Sequence, residues 1–575
     1  MSIFDVFKKR KKLAMPWAKY YSQEDLNYKL PNISMYDQLK QSSERYIDLV
    51  AMEYFGNKIT YGKFIKQIDK TALSLKKMGV KKGDIVTLCM PNIPEVLYFV
   101  YGLNKIGAIA NMLHPLSAEE EIKETLVSTK SKFLVMIDLF LHKTSKIIKS
   151  TDVKQIIKVS ASDSMPIFMK IGYNVMNTFK NKESYTGPVK VISFSKFLNL
   201  GKIHDDVTVK FGKDTPAVIL HSGGTSGKPK NVILQNRAFT LIGLQEHIMM
   251  KYHELGDTCL SILPNFHGFG LGVSMHAQLV NGVKIIMIPQ FDAKKFDLLL
   301  KKYKPTLMFG VPTLYEALLS NNNCELDLSC LKHAISGGDK LPKILEDKVN
   351  DYFKKHNSSA IITQGYGMSE ALSAVTLCLG KVNKSGSIGI PLPGNYIKIV
   401  DISTRKEVPH GIVGEICIHN KGLMIGYLNN ESETNEALQL HDDGYIWLHS
   451  GDLGKMDEDG FVFCEGRAKR MIITSGYNVY PSHIEEVIES HPAVLQCSVV
   501  GVPHSYKQEV PKAFIVLKDG YHGLFVKQDI KDYCRKKLAK YMIPQEFVIR
   551  KKLPKTKIGK VDFKALQNDF DDDEE

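Results

Sequence analysis

The chain lacks several features that would tie it to a membrane interior, a disulfide framework or a zinc site. Its 575 residues contain no run of roughly eighteen apolar residues, the length that a membrane-spanning helix needs. Its nine cysteines are scattered, with no Cys-x-x-Cys pair and no cysteine–histidine cluster at zinc spacing. We therefore expect reduced thiols, a cytoplasmic location and no structural zinc.

The N-terminal segment also lacks a secretory pattern. Within residues 1–12 the basic side chains follow the apolar ones, whereas a secretory signal places them first. A frayed, solvated basic end is the expectation, and peripheral contact with an anionic membrane surface is left open. The apolar, methionine-rich stretch at 164–176 leaves three alternatives open: contact with lipid, contact with an acyl tail, or packing in the core or between domains.

The net charge of +14 does not come from one basic block, because the lysines are spread along the chain. No aromatic-interleaved RNA-binding pattern is present, so we expect no nucleic-acid partner. A polyanionic small-molecule substrate explains the charge more simply. The length predicts at least two domains.

A glycine-rich loop after the apolar run at 217–220 predicts a phosphate site. Its small residues let consecutive backbone N–H groups point into one concavity, a nest that binds anions. The common nucleotide-binding loop is excluded because Gly223 lies only four residues before Gly227 and Pro229 follows Lys228. The candidate phosphate ligands are Ser222, Gly223, Gly224, Thr225, Ser226, Gly227 and Lys230.

The order of predicted elements indicates an α/β fold. Strand and helix patterns alternate from residue 31, which is typical of a parallel-rich sheet with covering helices. Three later strands each end in polar, glycine-rich residues, and ligands bind beyond the carboxyl ends of such strands. These segments are Val311-Pro312-Thr313, Ser336-Gly337-Gly338-Asp339 and Gln364-Gly365-Tyr366-Gly367-Met368-Ser369-Glu370.

The pattern changes in the last third of the chain. Short strands and turns from residue 384 predict a β-rich subdomain, with Ser450-Gly451-Asp452 in a turn. A small α+β unit follows, in which Ser482 and Glu485 predict a helix capping box. We therefore expect a large N-terminal domain at 1–468, whose 384–468 part is the β-rich subdomain, and a small mobile C-terminal domain at 469–575.

Five segments in this order resemble the successive signatures of the adenylate-forming enzymes, a superfamily that includes acyl-CoA synthetases, luciferases and peptide-synthetase adenylation domains. The resemblance covers roughly residues 30 to 565. It implies that a carboxylic acid attacks ATP to give acyl-AMP and pyrophosphate, and that CoA then displaces AMP. The segments are 222–230, 364–370, 450–452, 466–467 and 554–560.

The resemblance also implies roles for individual residues. The loop at 222–230 holds the β- and γ-phosphates, Glu370 and Thr225 hold Mg²⁺, and Ser369 contacts the α-phosphate. Lys560 bridges the substrate carboxylate and the α-phosphate, and the small domain pivots at Lys469. Gly476 and Tyr477 lie on the CoA side, whereas the adenosine is bound by Gly337, Gly338, Asp339, Gln364, Tyr366, Asp452 and Arg467.

The acid is inferred from the pocket residues. Gly367 stands where acetyl-type members have tryptophan, and with Gly268 and Gly270 it predicts an open acyl tunnel. His267 lies where amino-acid adenylators supply an aspartate; a lone histidine is more often structural, yet it is a candidate catalytic residue. A medium- or long-chain fatty acid fits best. The alternatives are an aryl acid, an enzyme that loads a carrier protein, and a non-catalytic nucleotide- or membrane-binding protein.

Overall fold

The fold is seen in a computed structural model of the chain. It describes residues 11–178, 184–201, 207–209, 214–222, 230–249, 254–320, 326–378, 380, 382–474, 477–504, 506–522, 524–555 and 561–569. In this part of the chain, no helix is both long enough and apolar enough to cross a bilayer. The described strands form four sheets.

The first sheet forms the alternating strand–helix part that the sequence predicts. Its central strands are parallel and buried on both faces, as at 133–137, where every residue is buried. Two antiparallel strands close one edge. In sheet order the strands are β19 (Gly426–Tyr427), β9 (Lys230–Gln235), β8 (Pro216–Ser222), β4 (Ile109–Met112), β3 (Ile85–Cys89), β5 (Phe133–Ile137), β6 (Gln155–Val159) and β7 (Val191–Ser193).

The second sheet has nine strands and is also parallel at its centre. It shares one continuous hydrophobic core with the first sheet, so the two form a single large unit. In sheet order the strands are β16 (Ile390–Pro391), β15 (Ser373–Leu377), β14 (Ile362–Met368), β13 (His333–Ser336), β12 (Leu307–Gly310), β10 (Thr258–Ser261), β11 (Lys284–Met287), β1 (Val50–Tyr54) and β2 (Asn57–Thr60).

The third sheet is the predicted β-rich region, and it is antiparallel. One prediction here is wrong: residues 450–452 lie inside a long strand and not in a turn. The strand continues because Gly451 adopts φ +70 at an irregularity of the pairing. The strands are β17 (Tyr396–Val400), β18 (Gly414–His419), β21 (Ile446–Met456), β20 (Leu438–Leu440) and β22 (Val462–Arg467).

The fourth sheet belongs to the C-terminal α+β unit and has its own small core. The chain leaves the third sheet at Arg467, makes a 3₁₀ turn at Ala468–Arg470, and enters the fourth sheet at Ile472. The change of sheet therefore falls around Lys469. The strands are β24 (Tyr477–Val479), β23 (Ile472–Thr474), β26 (Gln508–Leu517), β25 (Val494–His504) and β27 (Glu546–Ile549).

Helices cover the sheets, and several bury an apolar stripe in the way that the sequence spacing predicts. In the helix over 61–77, for example, Phe64, Ile68 and Leu75 are fully buried. The described α-helices are α1 (Gln23–Leu26), α2 (Met35–Ser43), α3 (Tyr61–Lys77), α4 (Pro94–Lys105), α5 (Glu119–Ser128), α6 (Ile167–Thr178), α7 (Phe194–Leu198), α8 (Asn236–Met249), α9 (Gln278–Val280), α10 (Phe296–Tyr303), α11 (Pro312–Ser320), α12 (Lys343–Lys355), α13 (Glu431–Ala437), α14 (Pro481–Glu489), α15 (Leu524–Lys537) and α16 (Phe563–Gln567).

The predicted capping box at Ser482 and Glu485 is wrong. Helix α14 begins at Pro481, so Ser482 lies inside its first turn and its hydroxyl donates to the Glu465 carbonyl. The Glu485 carboxylate accepts from the Val499 amide at 2.9 Å. Tertiary partners therefore replaced the local cap that the spacing favours.

Candidate functional site

Three neighbouring strands bring the predicted adenosine segments to one edge of the second sheet. Strands β12, β13 and β14 pair in parallel, so the residues after β12 and β13 and the last part of β14 meet at the same edge. The Gly337 amide donates to the Gly310 carbonyl at 3.0 Å. The Leu341 amide donates to Oε1 of Gln364 at 3.3 Å. Gly338 and Asp339 are exposed beside these contacts.

Asp452 is the centre of a polar cluster that joins this edge to the third sheet. Tyr366 donates its hydroxyl to Oδ2 of Asp452 at 2.6 Å, and Arg467 Nε lies 2.9 Å from Oδ1. Asp452 is buried, whereas the Arg467 side chain is half exposed. Burial, and then the charge of Asp452, raise the pKa of Tyr366 well above its usual range. The tyrosine is therefore a hydrogen-bond donor at neutral pH.

A second layer of polar groups supports the strand that carries Asp452. The Glu415 carboxylate accepts from the Gly451 amide at 2.9 Å and from His449 at 2.8 Å. Arg467 also donates to the Ser450 carbonyl at 3.1 Å. The sequence analysis did not identify Glu415 or His449, because their link to Asp452 depends on the register of β18 against β21.

Glu370 lies at a sharp change of direction between β14 and β15. The turn places Leu372 and Ser373 at φ +51 and +85, which is strained for residues with side chains. Tyr427 donates its hydroxyl to Oε1 of Glu370 at 2.9 Å. Burial, and then the negative charge of Glu370, raise the pKa of Tyr427 above its usual range. Sequence reasoning missed Tyr427, which lies 57 residues away from Glu370.

Glu370 has the chemistry of a magnesium ligand. Magnesium in nucleotide sites is bound through one or two carboxylates together with substrate phosphates. The Glu370 carboxylate is buried, and its one described side-chain hydrogen bond leaves lone pairs for a hard cation. The residue therefore fits the predicted Mg²⁺ role. The second predicted ligand, Thr225, lies outside the described residues.

Lys230 stands at the exit of the predicted phosphate loop. Its Nζ lies 3.0 Å from Oε2 of Glu433 and 4.6 Å from the centre of the Tyr427 ring. Ser222 and Lys230 are register partners on β8 and β9, so the two ends of the loop adjoin. Gly223, Gly224, Thr225, Ser226 and Gly227 lie outside the described residues.

Other predicted site residues are placed as follows. His267 lies in the turn before the π-helical segment Phe269–Ala277, with its ring centre 4.9 Å from that of Phe266. Ser369 opens the 3₁₀ turn that contains Glu370. Tyr477 is about half exposed and stacks on Tyr541 at 4.5 Å. Lys560 and Gly476 lie outside the described residues.

Two of the three glycines that predict an open acyl tunnel, Gly367 and Gly270, are explained by backbone packing. A Cβ on Gly367 would lie 1.1 Å from the Ser373 carbonyl oxygen, and a Cβ on Gly270 would lie 2.0 Å from that of Pro264. In this backbone, a side chain at either position would require the facing carbonyl to move. Backbone packing therefore accounts for these two glycines without reference to acyl-chain length.

The C-terminal unit contacts the large unit beside Lys469. Glu465 on β22 accepts from His483 Nε2 of α14 at 2.5 Å and pairs with Lys455 at 3.2 Å. Burial raises the pKa of Glu465, but His483 and Lys455 outweigh it and lower that pKa to about 2. Lys340 forms a further pair with Glu486 at 3.1 Å. Charged contacts thus hold α14 next to the predicted adenosine segment.

Family models and curated relatives match nearly the whole chain. The model described as "AMP-binding enzyme" matches residues 39–428, and that of the "AMP-binding enzyme C-terminal domain" matches 483–560. A "Long-chain-fatty-acid--CoA ligase" of Bacillus subtilis (strain 168) is 32% identical over 95% of this chain and 96% of its own. A "Probable 4-coumarate--CoA ligase 1" of Dictyostelium discoideum is 31% identical over 82% of this chain and 83% of its own.

Solved structures agree on the fold. An ATP-bound RpMatB-BxBclM chimera has a TM-score of 0.79 at 24% identity, covering 93% of this chain and 98% of its own. A Mycobacterium tuberculosis fatty acyl CoA synthetase has a TM-score of 0.67 at 25% identity over the same shares. With the family model covering well over half of the sequence, the chain belongs to the AMP-binding, adenylate-forming superfamily.

Proposed function

We propose that the chain is an AMP-forming acid–CoA ligase that uses ATP and Mg²⁺, and that its acid is a medium- or long-chain fatty acid. The observation that carries the proposal is the convergence of Tyr366, Asp452 and Arg467 at the edge where the adenosine segments end. Family membership and the Bacillus relative support the reaction class. The proposal for the acid itself rests on the relatives' names and on the lack of an acidic residue in the sequence 266–270.

The nucleotide end of the site suits a ribose. The Asp452 carboxylate accepts from the Tyr366 hydroxyl at Oδ2 and pairs with Arg467 Nε at Oδ1, and a carboxylate oxygen can accept more than one hydrogen bond. The two ribose hydroxyls are donors at a spacing that a bidentate carboxylate accepts. Tyr366 and the exposed backbone of Gly338 and Asp339 then flank the adenine.

At the reacting end of the proposed site, several groups stabilise the negative charge of the phosphates. A substrate carboxylate oxygen bonds to the α-phosphorus, the bond to the bridging oxygen of the β-phosphate breaks, and pyrophosphate leaves. Ser369 donates to the α-phosphate, and Lys230 and Lys560 offset the developing negative charge. Glu370 would hold Mg²⁺, which when bound neutralises phosphate charge. The predicted phosphate loop at 222–230 would keep pyrophosphate in place until the bond has broken.

The second half-reaction transfers the acyl group to sulfur. The CoA thiolate attacks the acyl carbon, the bond to the AMP oxygen breaks, and AMP leaves. We propose that the small domain turns about Lys469 between the steps, which brings Gly476 and Tyr477 to the thiol and withdraws Lys560. The contacts of Glu465 with His483 and of Lys340 with Glu486 cross this boundary and must break for such a turn.

A second candidate substrate is an aryl acid, favoured by the 31% identity to the 4-coumarate ligase relative. ATP–pyrophosphate exchange with octanoate, palmitate, 4-coumarate, acetate and an amino acid separates these classes. The thioester product is then measured with CoA and with a phosphopantetheinyl carrier protein. We expect the fastest exchange with an aliphatic acid and transfer to CoA. If no aliphatic acid supports exchange, the fatty-acid proposal is wrong. If the acyl group is transferred only to the carrier protein, the acceptor is the carrier and not CoA.

A further inference from the structure

Helix α6 (Ile167–Thr178) carries an unusual concentration of exposed apolar side chains. Phe168 is 85% exposed and Met176 is 66% exposed. Elsewhere in the described residues, large exposed apolar side chains are more dispersed along the chain. The helix therefore has an apolar patch that the rest of the chain does not cover. The patch consists of Ile167, Phe168, Met169, Ile171, Val175 and Met176.

The helix turns its apolar side away from the protein. Phe168, Ile171 and Val175 follow one another at three- and four-residue spacing, so they share one face. Lys170 and Tyr173 lie on the opposite face and are partly buried. A surface helix of a globular protein normally has the reverse arrangement, with its apolar face toward the core. The outward face is thus suited to an apolar surface outside the molecule.

The base of the helix is firmly attached to the large unit. The Ser164 hydroxyl donates to Oε1 of Glu95 at 2.5 Å, and Asn57 donates to the Ser164 carbonyl at 2.8 Å. Ser162 donates to the side-chain oxygen of Asn174 at 3.3 Å, which ties the middle of the helix to the preceding loop. These contacts hold the helix in place, so the exposed face is a fixed feature of the surface.

The helix leaves the same edge of the first sheet as the phosphate loop. Strands β8, β4, β3, β5 and β6 are parallel neighbours, so their carboxyl ends share one edge. The chain passes from that edge at Val159 into α6 and at Ser222 into residues 223–229. A surface that α6 contacted would therefore adjoin the side of the sheet on which ligands bind.

The charge of the sequence that flanks the helix selects among apolar partners. From the end of β5 to the end of α7, residues 138–198 contain ten lysines and four acidic residues. Helix α6 itself has one lysine and no acidic residue. Exposed apolar residues together with excess lysine are the features of segments that bind anionic bilayers.

We propose that α6 is a membrane-docking helix, which lies on the surface of an anionic lipid bilayer and inserts Phe168, Ile171 and Val175 among the lipid head groups. The proposal goes beyond the ligase activity and holds whichever acid is activated. An anionic bilayer is the partner that matches both the apolar face and the excess of lysine in the flanking sequence.

The test is sedimentation of the full-length protein with vesicles of phosphatidylglycerol or of phosphatidylcholine. We expect binding to the anionic vesicles, weaker binding to the neutral ones, and weakening by salt. The triple variant Phe168→Ser, Ile171→Ser, Val175→Ser is expected to bind the anionic vesicles at least about tenfold less tightly, because three apolar side chains no longer enter the lipid. Phe525→Ser is the matched control, since Phe525 is a 92% exposed phenylalanine of the C-terminal unit.

Several outcomes overturn the proposal. Docking through α6 is ruled out if the wild-type protein does not sediment with anionic vesicles. It is also ruled out if the triple variant binds these vesicles as tightly as the wild type. If the triple variant instead turns a dimer into a monomer in analytical ultracentrifugation, the patch is a contact between copies. If vesicle binding is unchanged and only the KM for the acid rises, the patch covers an acyl tail. Equal thermal unfolding of variant and wild type shows that lost binding is not misfolding.

Discussion

Asp452 and Arg467 are register partners on the paired strands β21 and β22, and Arg467 Nε lies 2.9 Å from Oδ1 of Asp452. Tyr366 reaches the other oxygen from a different sheet, at 2.6 Å. Two donors on separate elements thus fix the plane of one carboxylate. A ligand that needs a bidentate acceptor would find the acceptor already oriented, which lowers the entropic cost of binding.

Replacing Asp452 with asparagine is expected to raise the KM for ATP about 10- to 100-fold. The variant keeps the shape of the side chain but loses the charge, and hydrogen bonds to charged groups contribute about 1.5–3 kcal/mol. ATP titration of the exchange reaction measures the effect. The control is Asp443→Asn, which removes a carboxylate in the turn between β20 and β21, paired with Lys398 at 2.6 Å. Equal KM changes in both variants would contradict a ribose role for Asp452.

Glu433→Gln is expected to lower the KM for ATP by about two- to fivefold. Glu433 holds Lys230 in a partly exposed ion pair, and such pairs contribute about 0.2–1 kcal/mol that phosphate must overcome. A double-mutant cycle with Lys230→Met makes the test specific. In the Lys230→Met background the Glu433 change should have no effect on KM. An undiminished effect there would show that the pair does not compete with ATP.

Tyr427→Phe is expected to raise the Mg²⁺ concentration for half-maximal exchange roughly tenfold, because partners that orient a metal ligand contribute about that much to affinity. The variant removes the hydroxyl that donates to Glu370 and keeps the ring beside Lys230. Tyr46→Phe is the control, since that hydroxyl donates to the Val280 carbonyl. If the Mg²⁺ titrations of both variants superimpose on that of the wild type, Tyr427 does not position a metal ligand.

Glu95 gives a pH prediction. Burial raises its pKa from 4.5 to about 8. Between these values the folded protein keeps a proton that the unfolded chain has released, so this group's contribution is complete below pH 4.5 and is lost as the pH rises to 8. The free energy of unfolding should therefore fall with pH more steeply in the wild type than in Glu95→Gln, by up to about 1.4 kcal/mol per pH unit. Denaturant titrations at several pH values measure this free energy for both proteins. If it falls with pH equally steeply in the wild type and in Glu95→Gln, the prediction is contradicted.

The alternation of elements in the large domain could be predicted from the sequence because its parallel strands are buried on both faces. An apolar run such as 133–137 has no polar position, and it is bounded by residues that break strands. The adjacency of the segments after β12 and β13 and the end of β14 followed from the same logic, since the carboxyl ends of parallel strands share one edge.

The partners within the site could not be predicted in this way. Tyr427 reaches Glu370 because the two-residue strand β19 pairs with β9, a contact between segments almost two hundred residues apart. Glu433 reaches Lys230 through the same pairing. Such register is set by tertiary packing and leaves no local pattern. The capping-box prediction at Ser482 failed for a related reason, because the Ser482 hydroxyl donates to the carbonyl of Glu465, on a different element.

The most direct test of the central claim, attack of a fatty acid carboxylate on ATP, follows one oxygen atom. The enzyme is incubated with ATP, CoA and palmitate whose carboxylate is labelled with oxygen-18. The label in each product is then measured by mass spectrometry. If acyl-AMP forms and CoA then displaces AMP, one labelled oxygen remains on each AMP and none enters pyrophosphate. Unlabelled AMP, or label in pyrophosphate or orthophosphate, would contradict the adenylate route.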